Sequence, residues 1–160
     1  MAPTALPTTT RYIPQGTSRY YWVPAIASIS APTRLEIDAG TDLTCEVAAL
    51  AGFMTTAGDV DAPDACSRFV GKVPGLITAD DSSINFYSDE EGDDVHSFFT
   101  RDQIGFVLIL PGGDVAARKM DVWPARVKSV SRVQTLDAAQ QIVVQFSITR
   151  DPAVNVDIPA

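Results

Sequence analysis

Arg118-Lys119-Met120-Asp121-Val122-Trp123-Pro124-Ala125-Arg126-Val127-Lys128-Ser129-Val130-Ser131-Arg132-Val133, followed seven residues later by Gln141-Ile142-Val143-Val144-Gln145-Phe146-Ser147-Ile148-Thr149, decides the fold. In the second segment Ile142, Val144, Phe146 and Ile148 share one face. Gln141, Gln145, Ser147 and Thr149 share the other, with Val143 the exception. Alternation with period two marks a strand that buries one face. In the first segment Trp123, Ala125, Val127 and Val133 fall together, opposite Arg126, Lys128 and Arg132. Leu136-Asp137-Ala138-Ala139 carries no strand pattern and closes the hairpin. The hairpin is too long for one small subunit to cover, so its outward face is expected to meet something else.

Composition bounds the rest. A chain of 160 residues suits one domain that buries about two-thirds of its unfolded surface. With 46% apolar and 20% charged residues the balance is globular, not disordered. Frequent Thr, Val, Ser and Pro without long helical patterns make the class β-rich. A formal net charge of -8 disfavours free nucleic-acid binding, which needs clustered Lys and Arg. The charge is uneven: Asp59 to Asp102 holds eleven acidic and three basic residues, whereas Arg118 to Arg132 holds five basic residues against Asp121 alone. Such opposition suits head-to-tail association, although two solvated faces give the same pattern. No signal-peptide start is present and no apolar run is long enough to span a membrane. A cytoplasmic origin with reduced Cys45 and Cys66 is the default expectation, a disulfide between them the alternative.

In chain order, Met1–Gly16, with three prolines and four threonines, reads as an arm without structure of its own. Ser18–Pro24 is an aromatic strand ending at proline. Thr33 and Glu36 have capping-box spacing and Gly40 stands where a helix ends, which places a short helix over Arg34–Ala39 with Leu35 packed inward. Leu43–Ala51 reads as a strand and Phe53–Thr56 begins another. From Gly58 to Gly75 the pattern fails, leaving a long loop with Arg68, Phe69 and Val70 as an anchor in its middle. Leu76–Tyr87 reads as one strand and Ser88–Asp94 as an acidic turn. Val95–Phe99 reads as a second short helix, capped by Asp93 or Asp94, with Phe98 or Phe99 facing the core. Gly105–Leu110 is a buried strand, Pro111–Asp114 a turn, and Asp151–Ala160 a short tail. The domain plan is therefore an arm (1–16), a β-domain (17–150) and a tail (151–160).

Catalytic signatures fail one by one. His96 has no second histidine with which to share a metal and no triad partner. Gly71-Lys72 lacks the earlier glycine and the following Ser or Thr of a phosphate loop. Asp59, Asp61 and Asp64 depart from calcium-loop spacing. Asp80 and Asp81, adjacent on a strand, point to opposite faces and cannot act together as acid and base. The residues make no case for an enzyme and call for no cofactor or metal.

Several stretches together carry a likeness: Tyr20-Tyr21-Trp22-Val23-Pro24, Ala31-Pro32-Thr33, and Glu36-Ile37-Asp38-Ala39-Gly40-Thr41-Asp42-Leu43-Thr44. Further on come Ala79-Asp80-Asp81-Ser82-Ser83-Ile84-Asn85-Phe86-Tyr87, the run from Gly112 to Val122, and the ending Phe146-Ser147-Ile148-Thr149 with Ile158-Pro159-Ala160. In these the chain resembles the major tail (tail tube) proteins of long, non-contractile-tailed bacteriophages. No one motif is diagnostic; the likeness is a sum of small matches over nearly the whole chain after the arm.

That resemblance implies a mainly β fold, a β-sandwich or half-barrel with short flanking helices. It implies six-subunit rings stacked into a tube around a tape-measure protein, in the virion tail, assembled in the host cytoplasm. A tail terminator and baseplate or distal tail proteins are the further partners implied. A long loop and the terminal arms would bridge subunits, and DNA would transit an acidic lumen without specific binding. On this chain the candidate subunit contacts are Arg68, Phe69, Val70 and Lys72 in the long loop, with Arg126, Lys128 and Arg132 set against the acidic stretch. Asp80, Asp81, Asp89, Glu90 and Glu91 are the lumen candidates. The alternatives are another tail ring component (a terminator or tube initiator) and a monomeric β-sandwich binder using Tyr20, Tyr21 and Trp22.

Overall fold

The computed structural model describes residues 3–92 and 94–160. Along the chain it forms β1 (Arg19–Val23), α1 (Arg34–Asp38), β2 (Thr41–Asp42), β3 (Val47–Ala51), β4 (Thr55–Ala62) and β5 (Gly71–Ala79). These are followed by β6 (Ser82–Tyr87), α2 (Asp94–Phe98), β7 (Ile104–Leu110), β8 (Lys119–Val133), β9 (Gln141–Ile148) and β10 (Ala153–Asp157). The order β2-β1-β7-β8-β9-β6-β3, with β10 added beside β8, makes one eight-stranded sheet; β4 and β5 pair with each other alone.

β8 is the spine. Along one edge it pairs with β7, from Asp121↔Ile109 to Arg126↔Ile104. On its other edge β10 takes the first half and β9 the second. Pro124 sits where the chain passes from β9 to β10. Its carbonyl accepts from Thr149 N–H at 3.0 Å, and its missing N–H falls in the gap between the two partner strands. The tail is thus partly a strand: residues 153–157 join the sheet and Ile158 is buried.

Between Val127 and Ser129 the register with β9 slips, because Val127 faces Phe146 and Ser129 already faces Gln145. Lys128 is the extra residue of a β-bulge, and a bulge exchanges the faces of everything beyond it. Val130 therefore takes over the core side opposite Val144. Val133, expected inward, pairs with Gln141 and is exposed.

Both faces of the sheet's centre are buried, which explains the unbroken apolar run of β7. Trp22, Val107, Trp123, Ala125, Val127, Ile142, Val144, Phe146, Ile84 and Phe86 form one cluster, closed by Phe99 at the end of α2 and by Phe53 and Leu43. Val23, Phe106, Leu108, Leu110, Met120 and Val122 form the other, covered by Ile37 of α1, Ile26 and Ile158. Phe99, not Phe98, is the fully buried member of its pair. The capping role expected of Asp93 or Asp94 lies outside the described residues.

The capping box forms as its spacing predicts: Thr33 Oγ1 accepts from Glu36 N–H, and Glu36 accepts from Thr33 N–H at 2.7 Å. Leu35 does not pack inward. It is 81% exposed while Ile37 is 3% exposed, because a helix this short turns one residue to the sheet, and Ile37 has that place. Arg34 instead reaches across to Asp114 in the β7–β8 turn, at 2.5 and 2.7 Å, and also bonds Asp38. Tyr21 Oη donates to the same Asp114 carboxylate at 3.1 Å. Burial, then Asp114, pushes the Tyr21 phenol up to about 12.

The Arg34 guanidinium holds the Asp114 carboxyl below its ordinary value, and backbone N–H groups of Thr33 and Ala27 do the same for Glu36. A depressed carboxyl contributes stability above its unfolded value, and that contribution is lost as pH falls through the folded one. Asp114→Asn should lower stability near neutrality by about 1 kcal/mol, since the pair is partly solvated. The gap between variant and parent should close below the ordinary aspartate value of 3.8. Melting curves across an acid series measure both.

Candidate assembly surface

The segment expected to be a loop is a ribbon. Residues Gly58 to Gly75 supply most of β4 and β5, which pair from Thr55↔Ala79 to Ala62↔Gly71, with a register shift between Ala57 and Asp59. Neither face is buried, so the usual alternation of core and solvent positions is absent, and every residue of β4 is exposed. The expected strand Leu76–Tyr87 is accordingly two strands. It breaks at Asp80-Asp81, where the ribbon gives way to the main sheet, and these carboxylates lie in that turn instead of within a strand. Likewise β3 begins at Val47, after a turn through Leu43–Glu46.

The ribbon has two unlike faces. Asp59, opposite Pro74, and Asp61, opposite Lys72, lie on one; Lys72 Nζ approaches their carboxylates at 3.9 and 4.0 Å. Val60, directly opposite Val73, lies on the other, and both are about half exposed. At the tip Asp64 accepts from the N–H groups of Cys66 and Ser67, at 2.8 and 2.9 Å, and Ser67 Oγ accepts from Phe69 N–H. These bonds order the tip and present Phe69, which is 80% exposed, between Arg68 and Val70. Leu76 and Ile77 add further exposed apolar area. A two-stranded ribbon covered on neither side is marginal in water. Among the described residues nothing buries its apolar face.

The expected contact residues are not gathered together. Arg68, Phe69, Val70 and Lys72 are on the ribbon. Arg126 and Lys128 lie on β8 and bind carboxylates of their own chain, Arg126 to Asp102 at 2.9 Å and Lys128 to Asp81 at 3.5 Å. The basic stretch thus meets the acidic one within the subunit. Arg132 stands nearer the exposed end of the β8–β9 hairpin, at the register position of Ile142. Asp80 and Asp81 sit at the ribbon's root, while Asp89, Glu90 and Glu91 lie beyond the far end of β6, about 20 Å away at strand rise. Val60, Val73, Leu76 and Leu35 were missed as surface residues. Asp59-Val60-Asp61-Ala62 does alternate, and that was the available signal.

Among the described residues the main sheet ends in β2 and β3, each with one edge that no further strand pairs. β3, Val47-Ala48-Ala49-Leu50-Ala51, has no charge and no proline, the kind of edge that pairs with another chain. Cys45 and Cys66 are both exposed free thiols. His96 is exposed on α2. Among the described residues no group of three or more His, Cys, Asp or Glu is placed to hold a metal ion, and no helix is long and apolar enough to cross a membrane.

Comparison with known proteins gives a consistent result. The family model described as "Phage tail tube protein" matches residues 6–160. No curated protein matches the chain. Among solved structures it is similar to the tube-terminating cap of the anti-feeding prophage, at 12% identity and TM-score 0.56, over 96% of this chain and 99% of that one. It is similar to the SPP1 tail tube at 12% identity and TM-score 0.52, over 89% and 79% of the two chains. It is also similar to the tail of a gene transfer agent particle solved with C6 symmetry, at 9% identity and TM-score 0.50, over 86% and 93%. At such identities these likenesses show the fold.

Proposed function

This chain belongs to the phage tail tube protein family, and on that premise we propose that its β4–β5 ribbon docks, valine face inward, on a neighbouring copy and so joins rings into a tube. The chain is a structural subunit of the virion tail tube. The observation that carries the docking reading is the amphipathic ribbon itself: one face charged, the other apolar, neither covered. Rings close by pairing of open sheet edges, with β3 as the uncharged edge offered to the next subunit. The ring is a hexamer, supported by the likeness to a tail of C6 symmetry. The tape-measure protein occupies the tube before DNA transit, and a terminator and distal tail proteins bound its ends. Assembly takes place in the host cytoplasm. Asp81 already faces Lys128, so the turn Asp89-Glu90-Glu91 is the better lumen candidate.

Negative-stain electron microscopy across a concentration series tests this reading. Stacked tubes are expected from the purified protein. Isolated rings alone would favour a terminator, a reading that the likeness to a tube cap supports. Ala49→Lys places a charge on the open β3 edge and should hold the protein as unclosed oligomers or monomers. Closed rings from this variant would move the ring contact elsewhere.

Arg126 and Lys128 are kept as contact residues that reach a neighbour beside their own carboxylates. The double reversal Arg126→Glu with Lys128→Glu should reduce tube yield while changing subunit stability by no more than about 1 kcal/mol, the scale of exposed pairs. Normal tubes with a lowered melting temperature would confine both residues to their partners within the chain.

A further inference from the structure

We propose that Gly52, Phe53 and Ser82 form a joint that fixes the direction in which the ribbon leaves the sheet, and thereby the rotation between successive rings. The inference rests on the reading that the ribbon docks on a neighbouring copy.

Where β3 gives way to β4, the chain passes Gly52 and Phe53 with φ of +77° and +53°, both left-handed. Gly52 is required there twice over. Its φ favours glycine, and a Cβ would overlap the carbonyl oxygen of Asp81 and Cα of Ser82 on the returning strand. Phe53 has no such licence and is strained at that φ. Its ring is what holds it: 8% exposed, edge-on to Trp123 at 5.7 Å and 6.3 Å from Phe146. The turn is therefore pinned from inside the core.

The outgoing and returning chains are tied at the same level. Ser82 is a buried polar residue, 2% exposed, in a strand whose other inward positions are Ile84 and Phe86. Its hydroxyl accepts from Phe53 N–H at 2.9 Å and donates to the Asp80 carbonyl at 3.1 Å. Asp80 N–H donates to the Met54 carbonyl at 3.0 Å. Lys128, the bulged residue of β8, holds Asp81 alongside. A hydroxyl in this apolar setting serves the two backbone groups that the crossing would otherwise leave unpaired.

Beyond this point neither face of the ribbon is covered, so its angle to the sheet is set at the joint. A lever of nine residues, the length of β5, extends about 30 Å. A small change of angle at the root moves the tip by several ångströms, and the tip's target is on another subunit. The joint presents the ribbon already aimed, so that identical subunits choose one ring-to-ring rotation.

Hydrogen exchange on the subunit and helical reconstruction of its tubes test the proposal. Ser82→Ala should leave the main sheet protected, speed exchange at residues 53–56 and 78–80 about tenfold, and give tubes of altered or mixed rotation. A second variant with one glycine inserted after Met54 and one after Ala79 leaves the three joint residues in place but uncouples the ribbon. It should give the same tube defect. Tubes of parental rotation from both variants would overturn the proposal. Val60→Asp with Val73→Asp separates the two ideas: if that double variant blocks stacking while both joint variants build parental tubes, docking stands and the joint falls. If the double valine variant leaves tubes intact, the docking reading falls and the joint proposal with it.

Discussion

Tubes should fail to form when Val60 and Val73 are both replaced by aspartate, while the subunit should keep its melting temperature. The two valines face each other across β4 and β5 and form the centre of the ribbon's apolar face. Fully burying an exposed valine is worth about 1.5–3 kcal/mol, and these two are each about half exposed, so a docked ribbon draws about 1.5–3 kcal/mol from the pair. At 1.4 kcal/mol per decade the loss is roughly one to two decades in affinity at each contact. A buried unpaired carboxylate costs more than the methyl groups it replaces, which widens the gap. In the free subunit both side chains are already half in solvent, so the same change lies within about 0.5 kcal/mol for stability. That contrast is the diagnostic: sedimentation or microscopy should show rings or monomers, and calorimetry an unshifted transition. Tubes of normal yield would show that the valine face is not a contact. Phe69→Ala, at the tip, should weaken stacking without abolishing it.

The same residues show how much could be read beforehand. Where one face of a strand is buried, its sequence declares it: β8 and β9, β7 with both faces buried, and the capping box of α1 all stand where the pattern puts them. The ribbon was read as a loop because neither of its faces is buried in the subunit. Asp59-Val60-Asp61-Ala62 alternates, but Gly58, Pro63, Pro74 and Gly75 surround it, and an alternation with no core to face looks like noise. The bulge at Lys128 left no signal at all, since an inserted residue shows only in the partner's register; Val133 was misplaced for that reason. Leu35 and Ile37 are two apolar residues on one turn, and only the packed helix decides which is inward. The charge reading expected a complementarity between subunits; within one subunit Arg126 pairs with Asp102 and Lys128 with Asp81, which composition did not reveal. Pairing over long sequence separation cannot be read from local composition.

Trp22→Ala should have the largest effect on the subunit itself. Trp22, 2% exposed on β1, meets Phe99 edge-on at 5.2 Å and Phe146 at 5.8 Å, so it joins β1, the end of α2 and β9 in one aromatic group. The indole lies against Gly105 of β7, where a Cβ would run into the ring. Gly105 is thus the seat of Trp22. Removing the ring loses its burial and leaves a cavity that a sheet pinned on both faces cannot close, a cost of about 3–5 kcal/mol. Against a usual total of about 5–15 kcal/mol, that is enough to populate unfolded subunit at growth temperature. Gly105→Ala should be strongly destabilising in the parent, by overpacking against the indole, and far less so in the Trp22→Ala background, where the space is vacant. Thermal melts of the four proteins measure this coupling. Additive losses would mean that the indole gives way elsewhere and that Gly105 is not its seat. The remaining folded subunits should still stack, because Trp22 is no part of the ribbon; lost stability with retained tube formation separates what holds the domain together from what joins one ring to the next.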